Sequence, residues 1–356
     1  MSSYSAAQVI SPAIQRTRWY LFQPFRLGRF LKLTLVATFT EGGLSSCNFS
    51  SRLPSSHTNN GTGTFDWPSL HWPNINWPAF SVVIALIALA CAILIPLYIL
   101  ISYLFIRLRF SYFDCVLRGQ DKIGPAWSRY HRQALRYLGL TVCIAAAFWI
   151  VLIPIGYALY RHYAPLFHTL ISGGKPNYVD FIPLILTVIF GALALGLAGY
   201  LLDATLSSFV LPRMALTDAS IGDALEDVWA DITAEPGQFL LYYLLRALLG
   251  FAASIVAAVV LIVPFAIVAV IAGVLIFVLK SASIVAAFVV GIPLAILIGA
   301  AFLAGMIGVG GTIGTFRRNY ALFFYAGRFP QMAAILWPPQ PPPLPPQWGA
   351  VVPPAL

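Results

Sequence analysis

Two ionisable residues lie inside apolar stretches of the sequence, where a charged side chain could form a buried ion pair or carry protons or ions. Asp203 and Arg246 each interrupt a run of apolar residues that is otherwise long enough to cross a bilayer. The sequence places them at similar depth on consecutive, antiparallel helices. A buried charge is costly unless it is paired, so we predict an intramembrane ion pair between Asp203 and Arg246. The alternative is a proton or ion pathway through the same two residues.

The other residue types that serve catalysis or metal binding are scattered along the chain. No histidine has metal-ligand spacing with another histidine, a cysteine or a carboxylate, and no nucleophile elbow, P-loop or zincin motif is present. The sequence therefore predicts no catalytic residue, no cofactor and no metal. The histidines and cysteines of the chain are His57, His71, His131, His162, His168, Cys47, Cys91, Cys115 and Cys143.

Two glycine-rich stretches suggest helix packing. Gly308-Val309-Gly310-Gly311 superficially resembles a phosphate loop, but no lysine follows it and no strand precedes it. Gly191, Gly196 and Gly199 lie in another apolar run. Small residues let helix backbones approach closely in membranes, so we predict close helix packing at both stretches.

The elements that must position these residues are membrane helices. The chain has 356 residues, of which 60% are hydrophobic and 9% charged, and Ala247 to Leu279 contains no charged side chain. Soluble domains average about 25% charged residues. The continuous apolar runs disfavour a transmembrane β-barrel, whose strands alternate in polarity. We predict an all-α integral membrane protein that does not bind nucleic acid, most simply in a bacterial cytoplasmic membrane.

A bundle of about six transmembrane helices, with amphipathic in-plane helices, accounts for the apolar runs. Pro264 and Pro293 are predicted to break or kink the later spans. Three crossings after residue 239 would place Arg317, Arg318 and Arg328 outside, whereas two or four would place them inside. The predicted spans are 80–106, 137–160, 181–210, 239–262, 264–279 and 284–314.

The distribution of charge predicts the orientation. Residues 107–136 carry seven basic side chains, and short basic loops stay in the cytoplasm. Residues 213–237 hold six of the twelve acidic side chains and should share that side. The two segments are expected to attract each other. The transmembrane domain spans 80–330, and the preceding Trp-Pro loop, 46–79, is predicted to face outward.

The two ends of the chain have their own compositions. Residues 1–45 mix basic and aromatic side chains, which suits the headgroup region of a bilayer; packing on protein is the alternative. The Pro-rich tail, 331–356, is predicted to be extended and disordered. The residues expected to contact anionic headgroups are Arg16, Arg18, Trp19, Arg26, Arg29 and Lys32.

A weak internal repeat precedes two of the spans. Ile123-Gly124-Pro125-Ala126-Trp127 and Ile221-Gly222-Asp223-Ala224-Leu225 share the pattern Ile-Gly-x-Ala-bulky. Each copy follows a phenylalanine near the cytoplasmic end of a span. The pattern predicts a short helix on the inner surface that then turns into the bilayer; a chance match is the alternative.

Several short motifs resemble an uncharacterised family of bacterial polytopic membrane proteins. Residues 13–33 look like the opening of such proteins, and further motifs occur at Arg109–Asp114, Phe209–Pro212, Pro236–Phe239 and Tyr320–Arg328. The layout is similar to the membrane domains attached to some glycerophosphodiester phosphodiesterases. The resemblance implies a helical membrane fold and supplies no catalytic residues.

Three functional hypotheses follow. The first is a non-enzymatic scaffold or partner-binding component, whose protein partners the sequence does not indicate. The second is a small-solute or lipid transporter, which the Pro- and Gly-containing spans favour. The third and weakest is a membrane-bound enzyme that acts on lipid. A polar cavity within the apolar part of the bundle would favour the second hypothesis over the first.

Overall fold

The computed structural model describes residues 5–41, 77–171 and 178–337, which form helices and no strand. The predicted all-α fold is confirmed. Most of the Trp-Pro loop and of the Pro-rich tail lies outside the described residues. The tail was predicted to be extended from residue 331, but residues 331–336 are helical. The helices are α1 Ile10–Phe22, α2 Leu27–Glu41, α3 Trp77–Arg118, α4 Gly124–Arg129, α5 His131–Ile171, α6 Tyr178–Thr205, a π-helix at Leu206–Val210, α7 Leu211–Thr217, α8 Ile221–Ala234, α9 Pro236–Ala282, α10 Ile284–Ala326 and α11 Pro330–Leu336.

Within the described residues, five helices are long and apolar enough to cross a membrane: α3, α5, α6, α9 and α10. The predicted boundary at Pro264 was wrong, because α9 runs through Pro264 for 47 residues. Likewise, α10 continues through Pro293. A proline removes one helical hydrogen bond, which a membrane helix tolerates when its surroundings satisfy the freed carbonyl. The two predicted spans on either side of Pro264 are therefore a single helix.

The beginning of α9 and the end of α10 lie next to each other. Arg328, just after α10, donates hydrogen bonds to the Glu235 carboxylate that precedes α9, at 3.1 and 2.5 Å. Arg318 in α10 also bonds to the Ser207 carbonyl at the end of α6, at 2.7 Å. The arginines after residue 316 therefore lie at the end of the bundle that also holds the end of α6. As candidate spans, α9 and α10 would together cross a bilayer twice, which is the parity that the positive-inside rule prefers.

The packed core lies at that end of the bundle. Phe209 contacts the rings of Phe239 and Tyr242 with centroids 5.1 and 5.2 Å apart, and Tyr242 stacks on Phe324 at 4.5 Å. All four rings are buried. By contrast, side chains farther along the long helices are exposed, as Phe277 is at 74%. This exposed apolar surface is of the kind that lipid covers.

Helix α2 packs tightly on α10 through the glycine-rich stretch Gly308–Gly311. A Cβ atom at Gly311 would lie 2.2 Å from the Thr34 carbonyl oxygen. Thr38 Oγ1 donates to the Ile307 carbonyl at 3.1 Å. Helix packing at Gly308–Gly311 is thus confirmed. Gly191, Gly196 and Gly199 face open space within the described chain, so the packing predicted for them is not made there.

Short helices precede two of the long helices, as the weak repeat predicts. Helix α4 precedes α5, and α8 precedes α9. The Ser220 hydroxyl caps α8 by accepting a hydrogen bond from the Asp223 backbone N–H at 3.3 Å. The predicted loop at 107–136 is shorter than expected, because α3 extends to Arg118 and α5 begins at His131.

Candidate functional site: a cationic cavity between four helices

Asp203 and Arg246 lie in one polar network, but each has a different partner from the one predicted. The Asp203 carboxylate forms an ion pair with Arg109 of α3 at 3.0 Å. Arg246 donates through Nη1 to the Ala204 carbonyl and the Tyr242 hydroxyl, both at 3.3 Å. It also donates to the Ser208 hydroxyl. The predicted direct pair is therefore corrected. The prediction considered only the consecutive helices that carry Asp203 and Arg246. The actual partner of Asp203 is Arg109, which lies on α3.

The π-helix after α6 supplies hydrogen-bond acceptors to two arginines. A π-helix widens the turn to i→i+5 hydrogen bonds, and such turns occur frequently at functional sites. Here the turn places the Ser208 hydroxyl next to Arg246. The Ser207 carbonyl accepts from Arg318 Nη1 at 2.7 Å. Two arginines from two other helices thus meet at one distorted turn.

A second ion pair, between Glu41 and Arg318, was not predicted. Arg318 Nε lies 3.0 Å from Glu41 Oε1, and the two side chains are 1% and 3% exposed. The two atoms lack the alignment of a hydrogen bond. The Arg318 guanidinium also lies over the Phe113 ring, 5.3 Å from its centroid. One signal was available in the sequence: Glu41 is the first acidic residue and directly follows the apolar stretch of α2.

The charges of this network do not cancel. Two carboxylates, Asp203 and Glu41, pair with Arg109 and Arg318. Two further arginines, Arg246 and Arg317, form no ion pair among the described residues; Arg317 Nη1 donates instead to the Glu41 backbone carbonyl at 3.4 Å. Electrostatic interactions connect all six groups. The network therefore carries two formal positive charges in excess.

A cavity of about 710 Å³ begins at the two unpaired arginines. It lies between α2, α6, α9 and α10, and Arg246 and Arg317 both line it. The rest of the lining is mostly apolar. Phe251 and Leu303 line the cavity while being 65% and 59% exposed, so it opens at the surface where the long helices are exposed. Ligand sites are typically apolar cavities of about 300–1,000 Å³ with a few polar groups.

The residues predicted to contact headgroups fall into two groups, those with partners in the protein and those exposed at the surface. Arg16 Nη2 donates to the Val116 and Leu117 carbonyls at 3.0 and 2.8 Å, which satisfies the end of α3. Burial lowers the pKa of Arg16 from its ordinary value. Arg29 lies 3.9 Å from Asp121. These two arginines serve the fold, whereas the remaining four are exposed: Arg18, Trp19, Arg26 and Lys32.

The basic segment 107–136 and the acidic segment 213–237 are joined by one ion pair, between Arg136 and Asp218. Arg136 Nη1 lies 3.5 Å from the Asp218 carboxylate, and Gln133 donates to the same group at 3.1 Å. Other acidic side chains pair with arginines outside the basic segment. Arg213 pairs with Asp231 at 2.6 Å, and its own segment therefore neutralises part of the acidic charge.

Within the described residues, no group of three or more His, Cys, Asp or Glu side chains lies close enough together to hold a metal ion. His131 accepts or donates a hydrogen bond with the Tyr103 hydroxyl at 2.6 Å. His57, His71 and Cys47 lie outside the described residues.

Comparison with known proteins identifies a family without assigning an activity. No curated protein matches the chain. No solved structure matches it either. The comparisons show no link to glycerophosphodiester phosphodiesterases. A model for a family of unknown function, DUF7544, matches residues 4–335 and so includes every residue of the cationic cavity. The chain belongs to this family, DUF7544.

Proposed function

We propose that this protein binds an anionic amphiphile from the membrane in the cationic cavity. The observation that carries this proposal is the excess of two positive charges at one end of a mostly apolar cavity. A buried charge without a counter-charge is costly. An anionic group between Arg246 and Arg317 would offset that cost, and an apolar tail would fill the remaining volume.

This proposal favours the lipid-handling alternative over a scaffold. A scaffold needs an interaction surface but no cavity, whereas a protein that binds or moves lipid needs a site that opens towards the bilayer. The exposed lining residues Phe251 and Leu303 provide such an opening. An enzyme would need converging catalytic side chains, and the cavity lining offers instead two arginines and one paired carboxylate.

The orientation belongs to the same proposal. The basic residues 107–136 and the arginines after residue 316 lie at one end of the bundle, and the positive-inside rule places that end in the cytoplasm. The charged end of the cavity then lies towards the cytoplasmic leaflet, which is rich in anionic lipid. The exposed residues Arg18, Trp19, Arg26 and Lys32 would contact headgroups of the same leaflet.

Lipid binding by the purified, detergent-solubilised protein tests the proposal. We expect a labelled anionic lipid, phosphatidylglycerol, to bind in preference to zwitterionic phosphatidylcholine with the same acyl chains. The substitution Arg317→Gln should weaken anionic lipid binding about tenfold, because a charged hydrogen bond contributes roughly 1.5–3 kcal/mol. Arg132→Gln, at an exposed arginine away from the cavity, is the matched control. Equal binding by all three proteins would contradict the proposal.

A further inference from the structure

We infer that the group bound between Arg246 and Arg317 is a phosphate monoester with two negative charges. This inference rests on the proposed function and names the headgroup class of the amphiphile. Phosphate diesters and carboxylates carry a single negative charge and are the competing classes. Charge and hydrogen-bonding capacity both distinguish them from a monoester.

The charge balance is the first argument. Asp203 neutralises Arg109, and Glu41 neutralises Arg318. Neither Arg109 nor Arg318 lines the cavity, whereas Arg246 and Arg317 both do. A monoanion would leave one positive charge unbalanced in a mostly apolar cavity, where charges are poorly screened. A dianion balances both.

The available hydrogen-bond donors are the second argument. Arg246 is 4% exposed, and all of its hydrogen bonds within the described chain leave from Nη1. Arg317 uses only Nη1 in the same way. The Nη2 atom of each arginine makes no hydrogen bond within the described residues and remains available to a ligand. One guanidinium group can donate two parallel hydrogen bonds to two phosphate oxygens. A monoester presents three terminal oxygens, so it can accept hydrogen bonds from both arginines.

The hydroxyl groups of the lining do not compete for the ligand. Thr38 Oγ1 donates within 3.1 Å to carbonyls of α2 and α10. Tyr200 donates to the Tyr243 carbonyl at 3.1 Å, and Ser254 donates to the Phe251 carbonyl at 2.7 Å. Their hydrogens are engaged, so the arginines are the donors that remain for an anion.

Binding of three lipids with identical acyl chains tests the headgroup class. The probes are phosphatidate, a monoester; phosphatidylglycerol, a diester; and phosphatidylcholine, which has no net charge. At pH 7.5 we expect phosphatidate to bind at least about tenfold more tightly than phosphatidylglycerol, since a second charged contact is worth a factor of this size. Arg317→Gln should reduce that ratio towards one, and Arg132→Gln should leave it unchanged.

The pH dependence gives a readout that needs no variant. The second pKa of a phosphate monoester lies near 6, so phosphatidate loses its second charge below that pH. Its affinity should fall between pH 7.5 and pH 5. The charged or titratable side chains of the lining are Glu41 on α2, Tyr200 on α6, Arg246 on α9 and Arg317 on α10. Phosphatidylglycerol meets the same groups, so its unchanged affinity over this range would assign the effect to the ligand.

The outcomes separate the inference from the proposal on which it rests. Equal affinity for the two anionic lipids, or a phosphatidate affinity that does not change with pH, would overturn the monoester inference and leave anionic lipid binding intact. Binding of neither anionic lipid would overturn the proposed function itself. Inorganic phosphate and glycerol 3-phosphate form a further arm: if either matched phosphatidate, the ligand would be a soluble phosphate and not a lipid. Arg317→Lys, which keeps the charge but loses the planar fork, should bind with intermediate affinity.

Discussion

Buried arginines dominate the chemistry of this protein at the scale of single residues. The Glu41–Arg318 pair is almost inaccessible, with exposures of 3% and 1%. A buried pair is a weak net stabiliser, but removing one partner strands the other charge, at a cost of about 3–5 kcal/mol. The pair therefore constrains where α2 can sit against α10 more than its own energy suggests.

Glu41→Gln should lower the unfolding temperature of the purified protein substantially. The change leaves Arg318 unpaired and raises the excess of buried positive charge from two to three. Asp218→Asn removes the partially exposed pair with Arg136 and serves as the control, with an expected cost of about 0–1 kcal/mol. Thermal unfolding in detergent compares the two variants. A Glu41→Gln protein as stable as the control variant would show that this pair does not hold α2 in place.

Asp203 should couple more strongly to Arg109 than to Arg246. Its carboxylate lies 3.0 Å from Arg109, whereas Arg246 is held by Ser208, Ala204 and Tyr242. Double-mutant cycles with alanine at each position measure the two couplings. We expect an interaction energy of about 0.5–3 kcal/mol with Arg109, the range for residues in contact, and a smaller one with Arg246. The reverse order would restore the pair that the sequence predicts.

The sequence singles out Asp203 and Arg246, because charged side chains in apolar runs stand out by composition, but it does not indicate their partners. Partner choice depends on which helices are neighbours, and that information is tertiary. The Glu41–Arg318 pair was not predicted for the same reason: it joins α2 to α10, and no local sequence pattern specifies that these helices are neighbours.

At the scale of elements, helices α2 and α10 approach each other most closely at Gly311. Gly311→Ala would bring a Cβ atom to 2.2 Å from the Thr34 carbonyl, a backbone atom that cannot move aside alone. The helices must separate, which disturbs the Glu41–Arg318 pair nearby. Overpacking of this kind costs about 1–3 kcal/mol or more, so the variant should unfold at a lower temperature.

Gly196→Ala is the matched control for this prediction. Gly196 is also a helical glycine in an apolar stretch, but it has open space around it in the described chain. Alanine has a higher helix propensity than glycine by about 1 kcal/mol, so this variant should be as stable as the wild type or more stable. Equal loss of stability in both variants would indicate a general intolerance of α-helical substitutions and not a close approach at Gly311.

The prolines show where local sequence rules mislead at this scale. The sequence predicts a break or a kink at Pro264 and at Pro293, and the structure excludes the break, because α9 and α10 continue through both prolines. The rule that proline ends a helix derives mainly from soluble proteins. Membrane helices accept proline because the alternative, an unpaired backbone in lipid, costs more. The short helices α4 and α8 were better predicted, because amphipathic segments beside long apolar runs leave a clear pattern.

At the scale of the whole molecule, composition alone predicted the fold class. A chain with 9% charged residues and long apolar runs has few alternatives to a helical membrane bundle. The cavity could not be predicted in this way, since its walls come from four helices that are distant in sequence. Its position near the packed end of the bundle follows from the arginines that gather there.

Cysteine labelling tests the proposed orientation of the whole chain. In a variant lacking the native cysteines, Ser128→Cys on α4 should be protected from an impermeant reagent added to intact cells. Ser283→Cys, between α9 and α10, should be labelled, because α9 carries the chain to the opposite end. Both positions are exposed in the structure. Labelling of residue 128 from outside would contradict the proposed orientation and indicate the opposite one.

The most direct measurement of the central claim is an electron cryo-microscopy structure of the protein in nanodiscs that contain phosphatidate. We expect elongated density in the cavity between α2, α6, α9 and α10. Its phosphate should lie within about 4 Å of the guanidinium groups of both Arg246 and Arg317, the range of a charged contact. A cavity filled by protein side chains, or lipid density whose phosphate lies away from both arginines, would contradict the account.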